Sequence, residues 1–457
     1  MTKTSVRRAV VIVLCILMAQ SFVCGQTVNT PAPLPVLKLR VSFEVQKPRQ
    51  FTFSRVSKLL AVQREDGSVQ IVDLTDGHEQ AVLPIADKAL YSMHWTSDGL
   101  RLLIINSKSA TLWDARAGTR LSTPIEIKRD KYFILFEHVT LSPDEKFLLN
   151  VKKDESIKAL ALDRQKTTAQ VWSLETGQLK FEIKVKGECS QAKLSPNGKQ
   201  ILTTSEKEDL KLWDVETGRL FANLQTPERA IFREGSTAEF TPDGRFIIQT
   251  HETGTYIWHS SGALNVHIPF NKDSSDSRLQ GFTDDGKMFA TVQQTRGWHW
   301  FTSIEFRECE TGELKFKLNA PKWEDWPDQM LWSSNGRTLV AASGTGKYEG
   351  RIWDIRSERF KAAFPMLRTF SRWPMTFGFK DRDALAIHPT LPIVSAASNK
   401  FLRLWSAETG ELLQTIDNDG GYGAWSADGE LFLTFGKDLK SAQVWDVVGS
   451  DAQSKAR

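Results

Sequence analysis

The residues best placed to do chemistry stand in the stretch KLWDVETGRL, Lys211 to Leu220, where Asp214 and Glu216 lie two positions apart. Two carboxylates so close could divide a proton transfer between them, one as acid and one as base. The same spacing also suits a turn, because Asp accepts hydrogen bonds from backbone amides two or three residues on. Recurrence decides. The stretch returns as TLWDARAGTRL from Thr111, QVWSLETGQLKF from Gln170, YIWHSSGAL from Tyr256, RIWDIRSERF from Arg351, RLWSAETGELL from Arg403 and QVWDVV from Gln443. Weaker copies start at Gln70 and Ile304, with Val72 or Phe306 in place of Trp. Catalysis needs one constellation, not one per repeat, so these carboxylates read as turn caps. Asp214 is expected to cap its turn, Trp213 to pack between repeats and Glu216 to face solvent.

Other motifs fail on single positions. SGTGKYEG from Ser343 resembles a phosphate loop, but Ala341 stands where that loop needs Gly and Tyr348 where it needs Ser or Thr. DNDGG from Asp417 hints at a calcium loop whose first and twelfth positions would be Thr415 and Ser426, neither a carboxylate. No His-Glu-x-x-His, Cys-x-x-Cys or Gly-x-Ser-x-Gly occurs, and the eight His residues show no ligand spacing. His259 follows a Trp where other copies have Asp, and reads as a turn residue. No catalytic, metal-binding or cofactor-binding residue is therefore assigned, and no cofactor is expected.

The elements that would carry these turns have a signal of their own. Ahead of most copies comes an aromatic or Leu, a hydroxyl residue and a tight turn: WTSDG at Trp95, LSPDE at Leu141, LSPNG at Leu194, FTPDG at Phe240, FTDDG at Phe282, WSSNG at Trp332 and WSADG at Trp425. Asp or Asn followed by Gly suits a hairpin, and the alternating or apolar run that follows each turn reads as a strand. Each unit is thus four strands: a first, the Asp-Gly turn, a second, a loop, a third ending in Trp-Asp, a Thr-Gly turn and a fourth.

In this joint pattern the sequence resembles the WD-repeat β-propellers from Phe51 to Val447. The resemblance implies an all-β fold, a single propeller of four-stranded antiparallel blades. Departures are visible too, since no unit carries the Gly-His pair common in that family and several third strands end in Trp-Ser or Trp-His. Nine copies predict eight or nine blades, with the Gln70 and Ile304 units the irregular ones. Residues 36 to 45, VLKLRVSFEV, have strand character without a preceding hairpin, and are expected to be the outer strand of the blade built from Gly421 to Val447.

The chain ends read differently. Lys3, Arg7 and Arg8 precede the apolar run AVVIVLCILMA, and SFVCGQ follows, the layout of a secretory signal peptide over residues 1 to 25, with cleavage expected after Gly25. The run is shorter than the roughly 20 apolar residues that span a bilayer, which disfavours an uncleaved anchor. Bulky Val23 disfavours lipidation of Cys24. Residues 26 to 35 read as a Pro-rich linker, 36 to 447 as the propeller and 448 to 457 as a disordered tail. The protein is expected to be periplasmic or extracellular, without stable membrane insertion after cleavage. Losing Lys3, Arg7 and Arg8 lowers the formal net charge from +4 to +1, which leaves no general field for nucleic acid. Cys189 and Cys309 fall in non-adjacent units and are expected to be isolated buried thiols.

In such a ring the first-to-second and third-to-fourth turns share one face, and all are short. The other face takes every long insertion: 152 to 168, 227 to 235, 293 to 302, 322 to 329, 344 to 350 and 367 to 383. These hold aromatic and basic residues, Trp298, Trp300, Trp323, Trp326, Lys347, Tyr348, Arg368, Arg372, Trp373 and Phe377. Trp and Arg dominate binding hot spots, so these ten are the candidate partner-binding residues. The function expected is that of a non-enzymatic scaffold that binds a protein, a peptide or a glycan through this face. The alternative is a propeller enzyme, of hydrolase or quinone-dependent dehydrogenase type, with its site at the axial channel.

Overall fold

In the computed structural model the residues described are 36–448 less several internal stretches, the longest being 128–138, 154–165, 227–236, 320–328 and 366–384. Leu37–Asp446 form one compact unit; the chain ends, Met1–Val36 with Val447–Arg457, form a second, of which Val36, Val447 and Val448 are described, as strand ends. Among the described residues there is no helix.

The larger unit is nine antiparallel sheets in sequence order. Blade 4 shows the pattern: strand a Cys189–Leu194, b Gln200–Ser205, c Leu210–Asp214 and d Leu220–Leu224, with each strand paired to the next in line. The b strands read as near-continuous apolar or hydroxyl runs, and Leu59–Gln63 and Leu431–Phe435 are buried throughout. The d strand of blade 4 starts exposed, which places d on the rim and a at the axis.

Blade-on-blade packing closes the ring. Ile71 and Leu83 of blade 1 meet Leu102 and Trp113 of blade 2, and equivalent clusters join blade 2 to 3 and each following pair through blades 7 and 8. Trp425 of blade 9 donates its indole N–H to Ser395 Oγ of blade 8 at 3.0 Å. The last contact returns to the first blade, where Leu60, Val62 and Val72 pack on Leu431, Phe435 and Val444. A four-stranded sheet cannot bury both faces alone, and here each is covered by a neighbour.

Blade number resolves to nine. Val36–Glu44 pairs with Ser441–Val448 as the outer strand of blade 9, the arrangement expected from sequence. Gln414, on the d strand of blade 8, holds that strand by its amide: Leu37 N–H donates to Gln414 Oε1 at 2.7 Å and Gln414 Nε2 donates to the Leu37 carbonyl at 3.1 Å.

The expectation of irregular blades holds for one unit of the two. The Gln70 unit is an ordinary four-stranded sheet, while the Ile304 unit, also four-stranded, shifts register at Ser274/Asp276, Leu279/Gly281 and Gln293/Gln294. A further irregularity, in blade 2, lies outside that expectation: its outer strand splits into Thr119–Arg120 and Ile125–Glu126. Two residues cause the split. Ser122 Oγ accepts the Leu112 N–H at 3.1 Å in place of a backbone carbonyl, and Pro124 has no amide to give.

Candidate functional site

The repeated carboxylates are turn caps. Asp214 Oδ1 accepts from Thr217 N and Thr217 Oγ1, both at 2.7 Å, and these bonds hold its carboxyl below the usual range. Gly218 then takes φ 67°, a conformation that costs glycine little, and its N–H donates to the Asp214 carbonyl. Glu216 is exposed and pairs with Lys180 of blade 3. Trp213 packs in the cluster between blades 3 and 4. Sequence reasoning missed where the indole N–H groups go. Trp213 donates to Thr203 Oγ1 at 2.9 Å, Trp258 to Gln249 Oε1 at 3.0 Å and Trp445 to Thr434 Oγ1 at 3.0 Å, each across to strand b. Thr434 signalled it as a lone hydroxyl in the apolar run LFLTF.

The a–b turns form a second repeated network. In blade 5, Thr241 Oγ1 donates to Asp243 Oδ1 and accepts from Phe246 N, while Asp243 accepts from Arg245 N. Two turns keep this length without the motif. In blade 1, Ser54 Oγ accepts from Ser57 N at 3.1 Å, and Ser57 Oγ donates to the Gly99 carbonyl of blade 2 at 2.7 Å. In blade 8, His388 replaces the hydroxyl. Its Nδ1 accepts from Thr390 N at 3.1 Å and Leu391 N at 2.9 Å, which leaves Nε2 as the donor to the Gly429 carbonyl of blade 9 at 2.8 Å. The side chain is thus a neutral clip between blades, 2% exposed, and burial pushes its pKa down to about 4.

The equivalent residue of each a strand, Thr52, His94, Thr140, Lys193, Glu239, Gly281, Leu331, Ala386 and Ala424, is at least partly exposed. These residues are polar in blades 1 to 5 and small or apolar in blades 6 to 9; Leu331 packs on the cluster between blades 7 and 8, and the Thr140 hydroxyl is buried. Lys193 Nζ meets Glu239 Oε1 at 2.5 Å across adjacent blades. The pair neutralises both charges between adjacent blades. Among the described residues no three His, Cys, Asp or Glu side chains gather as a metal site. Cys309 is buried and unpaired, and burial pushes its thiol up to about 12.

The ten candidate partner-binding residues, Trp298, Trp300, Trp323, Trp326, Lys347, Tyr348, Arg368, Arg372, Trp373 and Phe377, lie outside the described residues. The strand ends that bracket them are described. Every a–b connection has one length, from Phe53 to Leu59 through Trp425 to Leu431, and the c–d connections are as short. The long connections are all b–c or d–a: Glu126 to Val139, Lys153 to Lys166, Leu224 to Thr237, Asn319 to Gln329 and Pro365 to Leu385. Those at 295–301, 319–329, 342–349 and 365–385 belong to blades 6, 7 and 8, which are neighbours in the ring.

Solved structures share this architecture. A eukaryotic initiation factor matches with a TM-score of 0.58 at 12% identity, over 81% of this chain and 88% of that one. The C-terminal WD40 domain of Sif2 matches with a TM-score of 0.52 at 11% identity, over 91% and 99%. The computationally designed Ika8 protein matches with a TM-score of 0.50 at 14% identity, over 81% and 99%. No protein-family model matches the chain, and no curated protein matches it in sequence. The fold is that of a WD-repeat β-propeller.

Proposed function

We propose that this WD-repeat propeller is an exported, non-catalytic scaffold that binds a protein or peptide partner through its loop-rich face. One observation carries the reading. Four long connections open on one face from three consecutive blades, and their sequences hold Trp298, Trp300, Trp323, Trp326, Arg368, Arg372 and Trp373. Aromatic and guanidinium residues carried by the connections of three neighbouring blades suit a hot spot better than the same residues spread round the ring would. The opposite face carries uniform short turns, in which Asp side chains such as Asp214 and Asp243 are bonded to their own backbone. A carbohydrate chain could use the same aromatic faces, and a glycan is the finer alternative within this reading. Export rests on the first 25 residues, with their basic start, apolar run and small residues before Gln26.

The test compares the mature protein with a Trp323→Ala, Arg372→Ala, Trp373→Ala variant as baits in envelope extract, with far-ultraviolet circular dichroism to show that both fold. Loss of the same captured proteins from the triple variant is expected. An identical set of partners on both baits would refute the proposed face. Intact mass of the exported protein should begin at Gln26, and a chain retaining Met1 would refute the leader assignment.

A further inference from the structure

The junctions between blades are not alike. In the sequence pattern Phe306 takes the Trp place of blade 6, but the ladder puts Arg307 there: Phe289 pairs with Arg307 and Arg307 with Leu314, as Ile201 pairs with Trp213 and Trp213 with Leu220. Phe306 instead belongs to the cluster shared with blade 7. Elsewhere this place is apolar. Trp113, Trp213, Trp258, Trp353 and Trp405 each sit in the cluster shared with the preceding blade, and Val72 does so against blade 9. Arg307 faces blade 5, since its ladder partner Phe289 packs with Cys309 on Phe246, Ile248 and Ile257 of that blade.

The bonds of Arg307 do not cross to blade 5. Its Nε and Nη2 donate to Glu305 Oε2 at 3.3 and 2.9 Å, and its Nη1 donates to the Gly312 carbonyl at 3.0 Å. Lys317 Nζ meets Glu305 Oε1 at 3.3 Å. All four residues belong to blade 6. Among the described residues, the side-chain bridges that do cross join Asn265 and Arg245 to Glu310 on the exposed surface, where such contacts contribute little. Parting a Trp junction exposes a buried indole, whereas parting this one returns water to a guanidinium whose own bonds are kept. We propose that the ring parts first here: blades 5 and 6 separate reversibly while the other junctions and every sheet stay intact, a sub-global opening below the cost of unfolding. The junction flanks blade 6, the first of the three consecutive blades with long connections, so this opening frees that sector at one end.

Cys309 reports the opening, because its side chain is 2% exposed in the wall of this junction. Its counterpart between blades 3 and 4 is Val215, 1% exposed, and Val215→Cys places a second thiol there. The mature Val215→Cys protein is treated with a thiol reagent at pH 8 without denaturant, and peptide-resolved mass spectrometry follows both sites in one sample, each rate referred to its own value in urea. Cys309 is expected to label slowly, yet at least about tenfold faster than the thiol at position 215, the difference that burial of an indole makes. Arg307→Trp restores an apolar junction, leaves Glu305 paired with Lys317, and should slow the labelling of Cys309 at least about tenfold with circular dichroism unchanged. Equal rates at the two sites, faster labelling at position 215, or unchanged labelling of Cys309 in folded Arg307→Trp would each overturn the proposal. If Arg307→Trp does not fold, the comparison of the two thiols decides alone.

Discussion

Protonation of His388 should loosen the junction of blades 8 and 9. The imidazole accepts two backbone N–H groups at Nδ1 and donates from Nε2 to the Gly429 carbonyl, with Trp425 edge-on at 4.6 Å. A proton at Nδ1 would break both incoming bonds and bury a charge. Burial lowers the folded pKa to about 4 from 6.5, and this outweighs the opposing pull of the Gly429 carbonyl and the Asp428 charge. A depressed folded pKa means that the stabilisation is complete above pH 6.5 and is lost as pH falls toward 4. A difference of about 2.5 pKa units at about 1.4 kcal/mol each amounts to about 3 kcal/mol over that window, a large fraction of the usual margin. His388→Ser restores the hydroxyl of the other turns and removes the titration. Urea unfolding of both proteins at pH 7.5 and pH 4 separates this effect from the carboxylates, which titrate in both. Wild type should lose about 3 kcal/mol more than the variant on acidification. At pH 7.5 the variant should be the weaker protein, because it leaves a hole beside Gly429. Equal acid sensitivity in the two would refute the reasoning.

Three further outcomes are expected. Gln414→Ala removes both bonds to the Leu37 backbone and should cost about 1 to 3 kcal/mol in urea unfolding, with faster amide exchange over 37–44 than elsewhere; uniform exchange would show that the strand does not depend on that amide. Asp214→Ala leaves Thr217 N without its acceptor on an exposed turn and should cost about 1 kcal/mol while far-ultraviolet dichroism stays the same; a larger loss would mean that Asp214 does more than cap. Cys309 should resist a thiol reagent at pH 8 in the folded protein and react fully in urea, because its thiol is buried and pushed up to about 12; rapid labelling of folded protein would contradict that.

The ring was legible because its physics repeats. Trp213 and Asp214 recur in kind along the chain, so one unit teaches the rest, and the outer strand at 36–44 followed from counting strands against turns. What failed to show were the places where one residue substitutes for another by a different route. His388 does the work of a Ser or Thr hydroxyl with an imidazole nitrogen, so no turn signal marked blade 8. Ser122 replaces a ladder carbonyl by its side chain, and a strand that looks continuous in TLWDARAGTRL breaks after Arg120. In the blade 1 turn Ser54 keeps the hydroxyl but Ser57 stands where others use Gly, and Val56 sits exposed at the position Asp holds elsewhere. Pattern reading finds a residue type at a spacing, while the fold needs an acceptor at a place, and several side chains can supply it. The same distinction bears on the proposed binding face. Asp73, Asp114 and Asp214 cap their own turns, and the residues proposed to meet a partner belong to the long b–c and d–a connections, where the repeat is broken.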